Sequence, residues 1–400
     1  MAQRLKQAAV FVGVILVALG VSVGTTAQAQ VRGVTDTEVT LGVILDYTGP
    51  YKSAGVLITE AFNAYWKAVN DAGGVHGRKV KIIYEDNGAS PKMGLTAANK
   101  LVYKDGVFGI LGSIGSAATV VLFDLVEKEK VPMLPIAYPR KMYDPVKRYV
   151  FMASAPYAIQ AARAIDYIFD DKKDLNAKVG IIYQDDDFGE DARNGALEAM
   201  KAWGKTPAAQ EAFPRGTTDF RSAVLNMKRA DVDYIIIGAA VREAAGIVRE
   251  AKLTRFKGQI MGIDPSLGPP LFSLAKEAAE GYLGASSFAT LGEDVPAWGN
   301  LKAALQKYEK KTFNFYHVFG LANSVVYHEG LKRAGRNLTP DTLVAALESL
   351  RDFDSGGVLP PVTFTATKRY ASKAAKIVRA DVKTQDFIAV APYQVPKAMR

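Results

Sequence analysis

The residues best placed for chemistry in this sequence stand in short runs rich in glycine, hydroxyls and aromatics. Each follows directly on an apolar, mostly β-branched stretch. They are Asp46-Tyr47-Thr48-Gly49-Pro50-Tyr51, Gly112-Ser113-Ile114-Gly115-Ser116-Ala117-Ala118-Thr119, Ile136-Ala137-Tyr138-Pro139, Gln184-Asp185-Asp186-Asp187-Phe188, Gly238-Ala239-Ala240-Val241-Arg242 and Asp264-Pro265. Such residues let backbone amides approach a ligand and line a pocket that is part polar, part apolar. Ser116 is the sharpest candidate. It precedes a predicted helix over 117–129, so its hydroxyl and the next N–H groups can hold a carboxylate. The competing reading is a serine that only caps the helix. The Gly112–Ser116 stretch is not a phosphate-binding loop, since no Gly-Lys-Ser/Thr follows.

Catalytic and metal readings find little support. Gly-x-Ser-x-Gly is absent, and with no cysteine there is neither thiol catalysis nor a Cys-based metal site. The three histidines are His76, in the turn Gly73-Gly74-Val75-His76-Gly77, His317 and His328. None has a metal-ligand partner at i+3 or i+4. Asp185-Asp186-Asp187 lacks the later ligands of a calcium loop and reads as capping and solvation. The expectation is a binding protein without cofactor or metal, and not an enzyme.

The elements that must position these loops are legible in the pattern. Apolar runs at 39–45, 80–84, 107–111 and 131–136 form one block, and runs at 179–183, 234–237 and 259–263 form a second. They do not alternate polar with apolar, as expected for parallel strands covered on both faces by helices. Between them lie helical patterns. Ile58, Ala61, Phe62, Tyr65, Trp66 and Val69 share one face of a helix over about 53–72. Ser90-Pro91 reads as an N-cap with proline at the first helical position, and Asp187-Phe188-Gly189-Glu190 has capping-box spacing. β-α units in two blocks predict an α/β fold with two doubly wound lobes. The break falls near 148–156, between Pro145 and Pro156. A further strand is expected at 281–288, then helices at 298–311, 318–334 and 339–350. After Ser355-Gly356-Gly357 and Pro360-Pro361 come short strands at 362–364, 377–380 and 387–391. The lobes are expected at 30–150 plus 285–358 and at 151–284 plus 359–400.

Size and charge agree with this picture. Arg4 and Lys6, the apolar stretch 8–23 and the small residues Ala27 and Ala29 predict a signal peptide over 1–29. The apolar stretch is short for the ~20 residues of a spanning helix. The remaining chain exceeds the roughly 250–300 residues that one core supports, so two lobes are expected. Formal charge is +9; removing Arg4 and Lys6 leaves 9 − 2 = +7. The basic residues interleave with acids, as in Glu127-Lys128-Glu129-Lys130, which reads as a solvated surface and not a nucleic-acid stripe. With no thiol to carry lipid, the exported protein is expected untethered in the periplasm.

Several of these segments together resemble the periplasmic leucine/isoleucine/valine-binding family. They are Asp46 to Pro50 with Gly55, Ala72 to Arg78, Glu85-Asp86-Asn87, Gly112 to Ser116, Val131-Pro132-Met133 and Asp187-Phe188-Gly189. The resemblance spans about 31–393. It implies the type I periplasmic binding fold, with two lobes joined by three crossover strands that close on a ligand. It also implies a monomeric receptor that delivers a small molecule to the permease of an ABC importer. By resemblance, Ser116 supplies the hydroxyl for the ligand carboxylate and Ala137 a backbone contact. Phe188 stands where amino-acid binders often have Tyr, and Asp264 near the acid that pairs with the ligand ammonium.

Departures from the family pattern shift the ligand. The Ser-Pro-Ala-Ala-Thr of amino-acid binders is here Pro135-Ile136-Ala137-Tyr138-Pro139, and two aromatic positions of the leucine-type pocket are Ala54 and Ala240. A drier, wider site is expected, with an apolar or aromatic carboxylic acid as ligand. Its residues would be Tyr47, Tyr51, Ser113, Ser116, Ala117, Ala137, Tyr138, Phe188, Ala240 and Asp264. Arg242 reads either as a second anion contact or as a surface residue. A branched-chain or other amino acid is the alternative ligand, and a ligand-sensing receptor on the same fold the alternative role.

Overall fold

The computed structural model describes residues 31–400; the signal-peptide reading falls on residues outside that range. The first block folds as β1 (Glu38–Leu45), α1 (Lys52–Asp71), β2 (Lys79–Asp86), α2 (Pro91–Asn99) and β3 (Gly109–Ser113). They make a parallel three-stranded sheet in the order β2-β1-β3. From Leu41 to Leu45 every residue of β1 is buried, which is why its run is continuously apolar. Ser90 caps α2 ahead of Pro91, as its sequence suggests.

Two expectations in this block change. The helix expected at 117–129 is broken into α3 (Ser116–Val120) and α4 (Phe123–Lys128). The break adjoins the β-branched run Thr119-Val120-Val121, which fits a helix poorly. The strand expected at 131–136 lies beside β3 through pairings of Ile110 with Met133 and Ile114 with Ile136. It forms no continuous ladder, because Pro132 and Pro135 have no N–H to donate.

The chain continues through α5 (Tyr157–Asp166), β4 (Val179–Gln184), α6 (Asp187–Ala202), β5 (Ala209–Phe213), α7 (Arg221–Arg229), β6 (Tyr234–Gly238) and α8 (Val241–Leu253). Next come β7 (Gln259–Ile263), α9 (Pro269–Ala275), β8 (Leu283–Ser286), α10 (Pro296–Ala304), α11 (Phe315–Ala334), α12 (Pro340–Glu348), β9 (Ala375–Asp381) and β10 (Asp386–Gln394). The second sheet has seven strands, β10-β9-β8-β7-β6-β4-β5. Strands β4 to β8 run parallel, while β9 and β10 are added antiparallel. β5 was not among the expected strands. It is an edge strand whose residues alternate in burial, so it lacks a continuous apolar run. The stretch expected at 362–364 shows only a pairing of Val362 with Phe353.

α11 returns to the first sheet. Its buried Asn323 donates to the carbonyls of Leu111 (2.9 Å) and Leu134 (2.7 Å), tying the helix to β3 and its neighbouring segment. Two passages between the sheets lie side by side: Met152 pairs with Tyr370, and the Met152 N–H donates to the Arg369 carbonyl (2.7 Å). No helix among the described residues is long and apolar enough to cross a membrane.

Candidate functional site

The loops at the carboxyl ends of both sheets meet around one cavity, of about 70 Å³. Local hydrogen bonds set the loop after β1. The buried Asp46 carboxylate accepts N–H bonds from Thr48 (3.2 Å), Gly49 (2.5 Å) and Tyr51 (2.8 Å), which turns the chain and aims Tyr51 at the start of α1. Gly55 follows because a Cβ there would lie 2.1 Å from the Asp46 carbonyl oxygen. From α1, Ser53, Ala54 and Ile58 line the cavity.

The loop after β3 is held by Asn87, whose side chain donates to the Ile114 carbonyl (2.8 Å). Gly115 takes φ 85° and occupies the cap position of α3. Ser116 is therefore the first helical residue, and its hydroxyl makes no capping bond. It is buried in the cavity wall, and the Tyr157 hydroxyl faces it. The backbone N–H groups of Ser116, Ala117 and Ala118 precede the first bond of the helix, from Thr119 N–H to the Gly115 carbonyl. What this end of α3 presents to the cavity is a cluster of hydroxyls and amides, since one and a half turns of helix carry little dipole.

The opposite wall is aromatic. Tyr138 and Tyr157 meet edge to face at 5.6 Å, and Tyr157 and Phe188 at 4.9 Å. The Tyr157 N–H donates to the Tyr138 carbonyl (3.1 Å), so the start of α5 is fixed to the segment beside β3. Asp186 positions Phe188 by accepting its N–H (3.0 Å) and that of Gly189 (3.2 Å). The cap of α6 thus lies one residue earlier than the Asp187 capping box expected from spacing. Tyr316 and Phe319 of α11, with Ile114, Ile136, Val241 and Pro265, complete the lining, which contains no charged side chain. Burial pushes the Tyr51 hydroxyl up to about 12 and those of Tyr138 and Tyr157 further above the usual phenol range, so all are neutral donors.

Of the expected site residues, Tyr51, Ser116, Tyr138 and Phe188 are brought together on this cavity. The others stand behind it. The Tyr47 hydroxyl is engaged with Thr59 (2.6 Å), and Ser113 with Thr119 (2.8 Å). Ala137 is buried and outside the lining, Ala117 after Ser116 is also outside it, and Ala240 yields its place to Val241. Arg242 is exposed and also outside the lining. Asp264 is fully buried, and its carboxylate accepts the Ser287 N–H (3.1 Å). Burial raises it to about 7, against the stabilising bonds from Ser286 and Ser287 and the charge of Lys376.

Tyr157, Ile58, Tyr316 and Phe319 were not expected. Tyr157 opens a helix and follows no strand, so the strand-end rule passes it by. Its signal was Pro156 directly ahead of a helical stretch. α11 is buried on nearly every face, so no polar stripe marks which residues turn inward.

The histidines are all occupied structurally. His76 Nε2 meets the Lys332 carbonyl (2.8 Å), His317 meets Glu60 (3.2 Å) and caps α11 through Asn314, and His328 meets the Tyr65 hydroxyl (2.8 Å). No group of three or more His, Cys, Asp or Glu among the described residues is arranged to hold a metal ion.

Comparison with known proteins decides the family. The periplasmic binding protein family matches residues 38–386. This chain belongs to that family. A Leu/Ile/Val-binding protein homolog of Brucella suis is 26% identical over 319 residues, which is 79% of this chain and 84% of that one. Among solved structures, a fatty acid ABC transporter substrate-binding protein from Thermomonospora curvata superposes with TM-score 0.84 at 26% identity, covering 92% of this chain and 95% of that one. An ABC transporter solute-binding protein from R. palustris, in complex with 4-hydroxybenzoate, superposes with TM-score 0.78 at 20% identity, covering 90% and 98%. The periplasmic binding protein thus has the two-lobed type I fold that its motifs imply, and its cavity is where that fold brings its two sheets together.

Proposed function

We propose that this periplasmic binding protein is the exported receptor of an ABC importer, and that it takes a small apolar or aromatic carboxylic acid between its lobes. The observation that carries the ligand class is the lining: hydroxyls of Tyr51, Ser53, Ser116 and Tyr157 against an uncharged wall of Tyr138, Phe188, Tyr316 and Phe319. Hydroxyls and free N–H groups can hold a carboxylate, and the aromatic wall gains from burying an apolar body. Asp264, which by family resemblance would meet an ammonium, is turned to Ser287 behind that wall. An amino acid would then bury its ammonium without a close partner, at a cost of several kcal/mol. The fold accommodates an aromatic acid in the R. palustris protein.

The cavity is smaller than the ~150 Å³ that holds a benzene, so a ring or branched chain enters as the lobes part and close again. The closed, monomeric form is then what the permease recognises. The amino-acid reading keeps one observation in its favour: Pro265, next to Asp264, lines the cavity. Calorimetry on the mature protein with benzoate, phenylacetate, isovalerate, leucine and valine separates the two. Heat with the acids and none with leucine or valine is the expected result; the reverse overturns the reading.

A further inference from the structure

Tyr138 has a property that no other residue of the cavity lining shares. Its side chain is 1% exposed and its hydroxyl has no hydrogen-bond partner. Native structures rarely leave a buried hydroxyl unpaired. The group cannot swing elsewhere, because a phenol oxygen lies on the ring axis. The ring is gripped edge-on by Tyr157, whose N–H also holds the Tyr138 carbonyl.

The surroundings narrow what can meet this hydroxyl. Asp264 lies close enough for its charge to bear on it. A ligand carboxylate placed there would face a second carboxylate. Lys376, almost fully buried, already bears on Asp264 and pairs with Glu293, so a cationic group would enter a corner that holds a cation. The corner therefore offers a neutral hydroxyl with nothing bound to it. A hydroxyl is the group that accepts from one neighbour and donates to another.

We propose that Tyr138 is a specificity-determining residue, and that the ligand is a hydroxylated acid whose hydroxyl pairs with Tyr138 while its carboxylate rests at Ser116. This rests on the aromatic- or apolar-acid reading above. Burying a benzoate ring against Tyr138 leaves the phenol unpaired, whereas a ring hydroxyl restores the bond; sites built to pair a ligand hydroxyl reject analogues that lack it.

The test measures Kd by calorimetry for benzoate and for 2-, 3- and 4-hydroxybenzoate, on the wild type and on Tyr138→Phe. This substitution keeps the ring and its packing, and circular dichroism and thermal unfolding verify that it folds. In the wild type at least one hydroxybenzoate is expected to bind roughly tenfold or more tighter than benzoate. In Tyr138→Phe that preference is expected to vanish through loss of hydroxybenzoate affinity, with benzoate binding retained or improved. Benzoate binding as well as every hydroxybenzoate, or a preference that survives in Tyr138→Phe, overturns the inference and leaves the acid reading standing. Failure of all four acids alongside binding of leucine or valine overturns both.

Discussion

Inside the cleft, Tyr138, Tyr157 and Phe188 pack edge to face, with no charged side chain among the residues that line the cavity. At its rims the same two lobes meet through charge. On one side Arg215, after β5, donates to the carbonyl of Ala89, after β2 (3.0 Å), while paired with Asp186 at 2.5 Å. On the other, Arg140 reaches Glu198 (2.8 Å) and Asp191 (3.7 Å), and Lys141 reaches Asp187 (2.6 Å), all on α6. The difference separates two tasks. An apolar wall gains free energy from area removed from water, which salt barely affects. Half-exposed ion pairs contribute little each and are screened, so they suit the adjustment of how long the cleft stays shut.

The largest expected effect is on the wall. Tyr157→Ala removes the ring that both Tyr138 and Phe188 pack against, and ligand affinity should fall by about 2 kcal/mol or more, roughly thirtyfold in Kd. Calorimetry in low and high salt checks it: the loss should be the same in both. Ser116→Ala comes next, with an expected loss of roughly 1–3 kcal/mol if its hydroxyl holds a buried carboxylate. Unchanged affinity would reduce Ser116 to a residue that only begins a helix.

How much of this was legible in the sequence follows the same division. β1, β4, β6 and β7 are buried on both faces, so each is written as an unbroken apolar run. The loops that follow strands could be located from their glycines and hydroxyls, and Tyr51, Ser116, Tyr138 and Phe188 were found that way. Direction was not legible. Tyr47 and Tyr51 are near neighbours of the same type, yet Thr59 takes one and the cleft the other, a choice made by the Asp46 turn and the pitch of α1. Ala240 and Val241 differ by one step at a helix start, and Val241 is the residue that lines. Asp264 stands, by resemblance, near the family's acid, but that it faces backbone depends on Ser287, distant in sequence. The rim pairs join segments far apart along the chain, and no local pattern announces them.

Asp264 lies behind the wall and offers a pH test that separates it from the ligand contacts. Burial raises it to about 7, above its unfolded value near 3.9. A carboxyl raised in the folded state contributes stability that is fully present below about 4 and is lost as pH rises through about 7. Asp264→Asn keeps an oxygen to accept the Ser287 N–H and cannot ionise. Its melting temperature relative to the wild type should therefore climb between about pH 4 and pH 7 and level off above. A constant difference across that range would mean that Asp264 is ionised at no cost, paired more fully than its bonds to Ser287 indicate. A separate role as partner to a ligand ammonium would appear as loss of leucine binding in the same variant.

The smallest effect is expected at the rims, and it is the one that can break the comparison. Arg215→Ala leaves the lining untouched but frees Ala89 and Asp186. Side chains as exposed as Arg215 and Arg140 hold such pairs with less than about 1 kcal/mol each. The change should show as faster ligand release with little alteration of the association rate, because the Arg215–Ala89 bond spans the two lobes whereas the Arg215–Asp186 pair lies within one. Stopped-flow measurements at about 0.02 and 0.5 M salt test this. The wild type should lose part of its slow release in high salt, and Arg215→Ala should lose less, having given up one screened contact already. If Arg215→Ala instead costs as much as Tyr157→Ala and responds to salt no differently from the wild type, Arg215 acts on the ligand itself through the Tyr51 hydroxyl beside it, and the wall and the rim are one site.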